Sequence, residues 1–445
     1  MALSNANRAE LKLLYNALAD RVLEPHDPVY VEQINERTAS GTDAVTEIAS
    51  EIDFQEGGGV CLFTGQRGTG KSTELKRLQD VLDGMGVAAF YADLSEYVLL
   101  TKPIEISDFL IAMAGALSDR VAADSRFSQH LAQRSYWDRL SHFLQSKVEF
   151  KEFGIKFEGV ADIKAALKND PDFKQRVQQA ARGHIAQIVA DAHGFFADAV
   201  SAIRAGTGDP SLKIALIIDS VERIRGVGDE AMKVYESVRN LFFAHAEHLR
   251  IPLLHMVYTV PPYLSILAAG AGALMGGATV RRLVSTHIFL DRSRQIDPEG
   301  MALLRRVINK RHSGWRGVFS AEAVDRLAVS SGGDLREFFR LLRQCLPAVR
   351  DDAQLPLTAA GVAHVETAAR AEMLPIPADQ LDWLKRISAT HDTCLQSDDR
   401  LPLLAHFLDN RLVLNYRNGS DWYDVHPLLR DVVDSHEPAA NRTGS

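Results

Sequence analysis

The chain has 445 residues, a formal net charge of −8, 46% hydrophobic and 24% charged content. This balance excludes a largely disordered chain and a chain-wide basic footprint for nucleic acid. The length allows two or three domains with their own cores. Three scattered cysteines, Cys61, Cys345 and Cys394, are too few for a disulfide framework and point to a reducing, cytoplasmic setting.

In chain order, MALSNANRAELKLLYNALADRV carries charges throughout and reads as a helix rather than a targeting segment. A proline-punctuated arm, LEPHDPVYVEQ, runs on to about residue 42. Thr42 and Asp43 can cap a helix over AVTEIASEI that stops at Gly57 to Gly59. The run VCLFTG is a strand buried on both faces, followed by a helix from Lys71 to about Asp83. A second buried run, VAAFYAD, ends in Asp93, and a helix follows around ISDFLIAMAGALSDRV. Alternating strands and helices predict an α/β core: a parallel sheet with helices on both faces.

The next strong strand, KIALIID, ends at Asp219, 148 residues after Lys71 and far beyond one βα step, so an insertion of about 124–207 is expected. Residues 124–147 read as helical, VEFKEFGIKFEG as a small hairpin. An amphipathic helix or helical pair runs from Phe173 and Val177 to Val200 and Ile203. Residues 251–280 contain no formally charged residue. Their length would suit a membrane span, but Pro261-Pro262, the run AAGAGA and the β-rich start favour a buried strand and a small-residue loop. No membrane partner is expected.

Beyond residue 290 helices dominate, with capping residues Asp297, Ser320, Asp334 and Thr358 at their starts. The last block adds two helices and two β-rich runs around RNGSD, a winged helix-turn-helix pattern. The expected domains are an arm at 1–42, a core at 43–292, a helical lid at 293–374, a winged helix at 375–434 and a flexible tail at 435–445.

GQRGTGKST, from Gly65 to Thr73, matches G-x-x-x-x-G-K-[ST] in full between a strand and a helix. Gly65, Gln66, Arg67, Gly68, Thr69 and Gly70 form a loop whose backbone N–H groups can curl around phosphate, helped by the positive end of a helix. Lys71 can reach the β- and γ-phosphates of ATP, and the Ser72 hydroxyl can ligate Mg2+. Asp219 closes a buried strand, where it holds magnesium or caps the following helix. If the chain turns helical after Asp219, Glu222 lies on nearly the same face and can orient the attacking water; a surface pairing with Arg223 or Arg225 is the competing reading. Ser220 is too weak a base for that task.

Together GQRGTGKST, ALIIDSVE, LLHMVYTVP and SGGDLREFFRLLR resemble the AAA+ superfamily over roughly residues 43–350. The resemblance implies an αβα nucleotide-binding core followed by a helical lid. It makes Thr259 the polar sensor at a strand tip and Arg336 the lid arginine that reaches the γ-phosphate. Serine at 220 with an acid at 222 is closer to the related STAND switch ATPases, which usually lack the lid arginine. The C-terminal winged helix is similar to the initiator-like branch. Arg281 and Arg282, just before the expected strand LVSTHIFL, loosely match an arginine supplied to a neighbouring subunit, and a solvated pair suits them as well. The resemblance suggests prokaryotic conflict or defence systems as the setting.

His245 and His248 share a helix face without further ligands, and His391 with Cys394 lacks a second pair, so neither reads as a metal site. Between 376 and 431 six basic residues face nine acidic ones. Phosphate contacts supply most non-specific affinity, so nucleic acid is an open but disfavoured partner and protein contact the better one. The leading expectation is an ATPase switch that forms a homo-oligomer or engages an effector. The alternatives are a DNA-binding initiator or transposition-type regulator, and a protein with ATP as a structural ligand.

Overall fold

A computed structural model describes residues 2–32, 43–128, 135–140, 184–226, 230–266 and 277–437, with isolated positions from 165 to 179 and Met275. The chain divides into two compact units. One comprises Ala44–Thr64 and Glu74–Arg282, the other Met1–Asp43, Gly65–Thr73 and Leu283–Ser445.

The first unit is built on parallel strands. Strands β1 (Gly59–Gly65), β2 (Ala88–Asp93), β3 (Ile214–Asp219), β4 (His255–Val260) and β5 (Thr279–Leu283) form one sheet in the order β2-β3-β4-β1-β5. β1 pairs with β4, β4 with β3, and β3 with β2, all parallel. Every residue of β3 and β4 is buried, which is why their sequences are continuous apolar runs instead of alternating ones. Parallel neighbours need helical crossovers, and α3 (Lys71–Gly84) and α4 (Ile106–Ala123) lie between strands to supply them, whereas α2 (Ala44–Phe54) precedes β1. α2 buries Val45, Ile48, Ala49 and Ile52 at helical spacing.

In the inserted region α5 (Ile185–Thr207) packs along α4. It buries Phe195, Phe196, Val200 and Ile203, and Tyr136 rests 5.1 Å from Phe195. The hairpin expected over VEFKEFGIKFEG and the segment from Phe173 to Ala180 lie wholly or in part outside the described residues. A further helix, α6 (Ala231–Phe243), precedes β4.

The edge strand is shifted from expectation. β5 holds Arg281 and Arg282 within it, while LVSTHIFL leaves the sheet after Leu283. The amide of Thr286 donates instead to Gly333 O, 3.1 Å away, and Ile288 and Leu290 bond to Asp297 and Gln295 in a short antiparallel bridge, so the run finds its partners outside the sheet.

The second unit begins with α1 (Asn5–Ala17), capped by Ser4. Its helices α7 (Pro298–Arg311), α8 (Ala321–Ser330) and α9 (Leu335–Cys345) start at Asp297, Ser320 and Asp334. Each of these side chains accepts a hydrogen bond from a first-turn amide, as helix starts require. Thr358 behaves differently: its hydroxyl takes the Gly361 amide in a turn, and α10 (Ala363–Glu372) starts five residues later. Two helices, α11 (Ala378–Thr390) and α12 (Leu401–Asp409), then lead into the antiparallel pair β6 (Val413–Asn418) and β7 (Ser420–Val425), the element order of a winged helix-turn-helix. One buried cluster joins Leu11 and Leu14 of α1 with Trp315, Phe338, Tyr416 and Trp422. Among the described residues no helix is long and apolar enough to cross a membrane.

Candidate functional site

β1 ends at Gly65 and α3 begins at Lys71, so the motif forms the bend between strand and helix. Gly68 and Gly70 adopt φ of 96° and 94°, left-handed values that a side chain would oppose. Such turns point successive backbone N–H groups to one side. The Lys71 ammonium is buried and donates to Gly65 O at 2.8 Å and Gln66 O at 2.9 Å. The Thr69 hydroxyl also donates to Gln66 O, and Thr73 Oγ1 accepts the amide of Leu23 from the N-terminal arm. Ser72 follows Lys71 in the first turn of α3 and Arg67 is half-buried.

Groups from the same unit surround this loop. A Cβ on Gly68 would lie 2.7 Å from Asp334 Oδ1 and 2.8 Å from the Arg336 Cβ, so only glycine permits the approach of α9. Arg336 forms an ion pair with Asp20 at 2.6 Å. Asp334 is fully buried; desolvation pushes its carboxyl pKa up against the pull of Arg411, which reaches it at 3.3 Å. The Gln66 side chain turns toward the C-terminal hairpin and bonds Leu408, Val413 and Asn415.

In the other unit, Asp219 closes β3 with no exposed surface. The Tyr91 hydroxyl donates to Asp219 Oδ2 at 2.6 Å, and the Ser220 amide to Oδ1 at 2.6 Å. Ser220 takes φ of 70° and starts a single turn, Val221–Arg223, that carries the buried Glu222. Thr259 in β4 accepts the Val221 amide at 3.0 Å, so this threonine and the turn bearing Glu222 are joined directly. Arg223 reaches Ser220 Oγ at 3.2 Å and Asp93 at 3.9 Å. Arg281 pairs with Glu47 at 3.1 Å and Glu51 at 3.4 Å, both on α2; Arg282 is half-buried beside it in β5.

No family model and no curated protein matches the chain. Among solved structures it is similar to a Walker-type ATPase of Pyrococcus abyssi, at 11% identity and a TM-score of 0.40 over 92% of this chain and 100% of that one. It is also similar to the Aeropyrum pernix ORC2 protein in ADPNP–ADP complexes, at 10% identity and 0.37 over 92% and 96%. A third is the Aeropyrum pernix ORC1 protein in complex with DNA, at 11% identity and 0.37 over 92% and 97%. Likeness at this level carries no argument about what this chain binds, and its chemistry is read from its own residues.

The loop suits a phosphate on two grounds. Its glycine conformations turn amides to one side, and a Cβ on Gly70 would meet no atom within 4 Å, so space is open there. Sequence reasoning missed Asp20, Tyr91, Asp334, Arg411 and Asn415 as neighbours of these groups. Tyr91 carried a usable signal, since it stands two residues before the end of the strand adjoining β3. The others come from distant parts of the chain with no shared spacing.

Proposed function

We propose that the chain is a magnesium-dependent ATPase switch of AAA+/STAND type, which couples its nucleotide state to oligomerisation or to a protein partner. The observation that carries this reading is the loop from Gly65 to Ser72, with two left-handed glycines and a buried lysine at the start of α3. Its amides bind phosphate oxygens, and Lys71 exchanges carbonyl partners for the β- and γ-phosphates. Ser72 and Asp219 would hold Mg2+, which supplies neutralising charge for the phosphate oxygens when bound.

Glu222 accepts the proton of the attacking water. The water oxygen bonds to the γ-phosphorus, the bond to the β–γ bridging oxygen breaks, and ADP leaves with that electron pair. Thr259 holds the turn that carries Glu222 through the Val221 amide. Arg336 serves the γ-phosphate after exchanging its Asp20 partner. Arg281 and Arg282 are the candidates for service to a neighbouring copy in a homo-oligomer. The acidic excess of the C-terminal block favours protein over DNA as the partner.

Phosphate release with magnesium and ATP tests the reading. Wild type should turn over, and Glu222→Gln should bind ATP yet turn over far more slowly. Normal hydrolysis by that variant would remove Glu222 from the mechanism. Growth in size with ATP, but not with ADP, would support assembly.

A further inference from the structure

We propose that Gln66 is a positioning residue that ties the state of the phosphate loop to the C-terminal hairpin, and that triphosphate binding loosens this tie. The inference rests on the reading of residues 65–73 as a phosphate site. Every group involved belongs to one compact unit.

Gln66 is 3% exposed, and both ends of its amide are used. Nε2 donates to Val413 O at 2.6 Å and, more weakly, to Leu408 O at 3.4 Å. Oε1 accepts the Asn415 amide at 3.0 Å. Val413 and Asn415 are alternate residues of β6 and lie opposite Val425 and Tyr423 of β7. The Tyr423 amide bonds away from β6, to His391 O, as expected at a pair that exchanges no ladder bonds. The Val413 carbonyl and Asn415 amide therefore lie on the free edge of β6. The Gln66 amide fills that edge as the peptide group of a third strand would. A carboxylate or alkyl group of the same length cannot both donate and accept there.

The main chain of the same residue faces the other way. Gln66 O accepts from Lys71 Nζ and from the Thr69 hydroxyl, both at 2.9 Å. When a phosphate claims the ammonium, this carbonyl loses its cation and the peptide that carries the side chain is released to turn. A second contact acts in the same sense. Asp334 approaches Gly68, and Arg411, two residues before β6, binds both Asp334 and Glu337. Negative charge arriving at the loop repels the Asp334 carboxylate and competes for Arg411, which weakens the lid's hold on the root of the hairpin.

Amide hydrogen exchange at Asn415, read on the full chain, tests this. Without nucleotide the Asn415 amide should be protected in wild type. A non-hydrolysable ATP analogue should speed its exchange about tenfold, the equivalent of one ordinary hydrogen bond, and ADP should have a smaller effect. Gln66→Leu should exchange fast at Asn415 with or without the analogue. Gln66→Glu, which keeps the acceptor and loses the donor, should fall between. Should Gln66→Leu not fold, the wild-type comparison with and without analogue still decides. Bound analogue with unchanged Asn415 exchange overturns the coupling alone. Failure of the analogue to bind overturns the phosphate reading and the coupling with it.

Discussion

The loop from Gly65 to Ser72 and the end of β3 each bury an ionisable side chain, Lys71 and Asp219, and hydrogen bonds of different kinds reach them. Lys71 rests on two carbonyls of its own loop, whereas Asp219 takes a tyrosine hydroxyl and the amide of the next residue. Neutral carbonyls yield an ammonium to phosphate oxygens, because an anionic oxygen adds a direct charge–charge attraction that a carbonyl dipole lacks. The donors on Asp219 need not leave when a cation arrives, since a carboxylate has about four lone-pair sites. The loop is thus built for exchange and the strand end is built in advance. The proposed ATPase switch needs both.

The contrast can be broken on the exchanging side first. Lys71→Ala should lower turnover on the order of 10²–10³-fold, the loss typical of one preorganised transition-state donor, with ATP affinity reduced as well. Phosphate release and a fluorescent ATP titration check it. On the preformed side, Glu222→Gln should cost about 10²-fold in turnover while ATP binding persists. A milder change sharpens the comparison: Tyr91→Phe removes one donor to a charged group, worth about 1.5–3 kcal/mol. Turnover should fall about tenfold and the magnesium needed for half-maximal rate should change, whereas loss of a structural ring contact would leave that midpoint alone.

The smallest effect at neutral pH comes from two buried histidines, one in each unit. Burial lowers the pKa of His255 in β4 and of His426 after β7 to about 4, below the ordinary 6.5. Both are neutral in the native state, so the unfolded chain takes up protons first as pH falls. Their contribution to stability is complete above pH 6.5, declines between 6.5 and about 4, and levels off below. Urea unfolding midpoints should drop over that window, and His255→Asn should lose less than wild type does. Equal losses would contradict the burial account.

Much of this was legible in the sequence. The apolar runs of β3 and β4 announce strands covered on both faces, and Gly65 to Ser72 declares its bend through fixed spacing. Asp297, Ser320 and Asp334 cap helices because a short polar side chain before an apolar-periodic run has few better uses. LVSTHIFL misled because its apolar content suits a strand, yet its amide at Thr286 found Gly333 instead of a sheet partner. Arg336 meets Asp20 and Gln66 meets Asn415 across hundreds of residues, where no local period records the encounter. Burial patterns show which face turns inward; they do not say which distant group waits there.

The most direct test of the central claim is calorimetric titration of ATP and magnesium into wild type and Lys71→Ala, with phosphate release followed in parallel. Saturable binding by wild type with magnesium-dependent turnover, both lost or sharply weakened in the variant, is the expected result. Wild type that takes up no ATP at millimolar concentration, or a variant that binds and hydrolyses it equally well, would contradict the account.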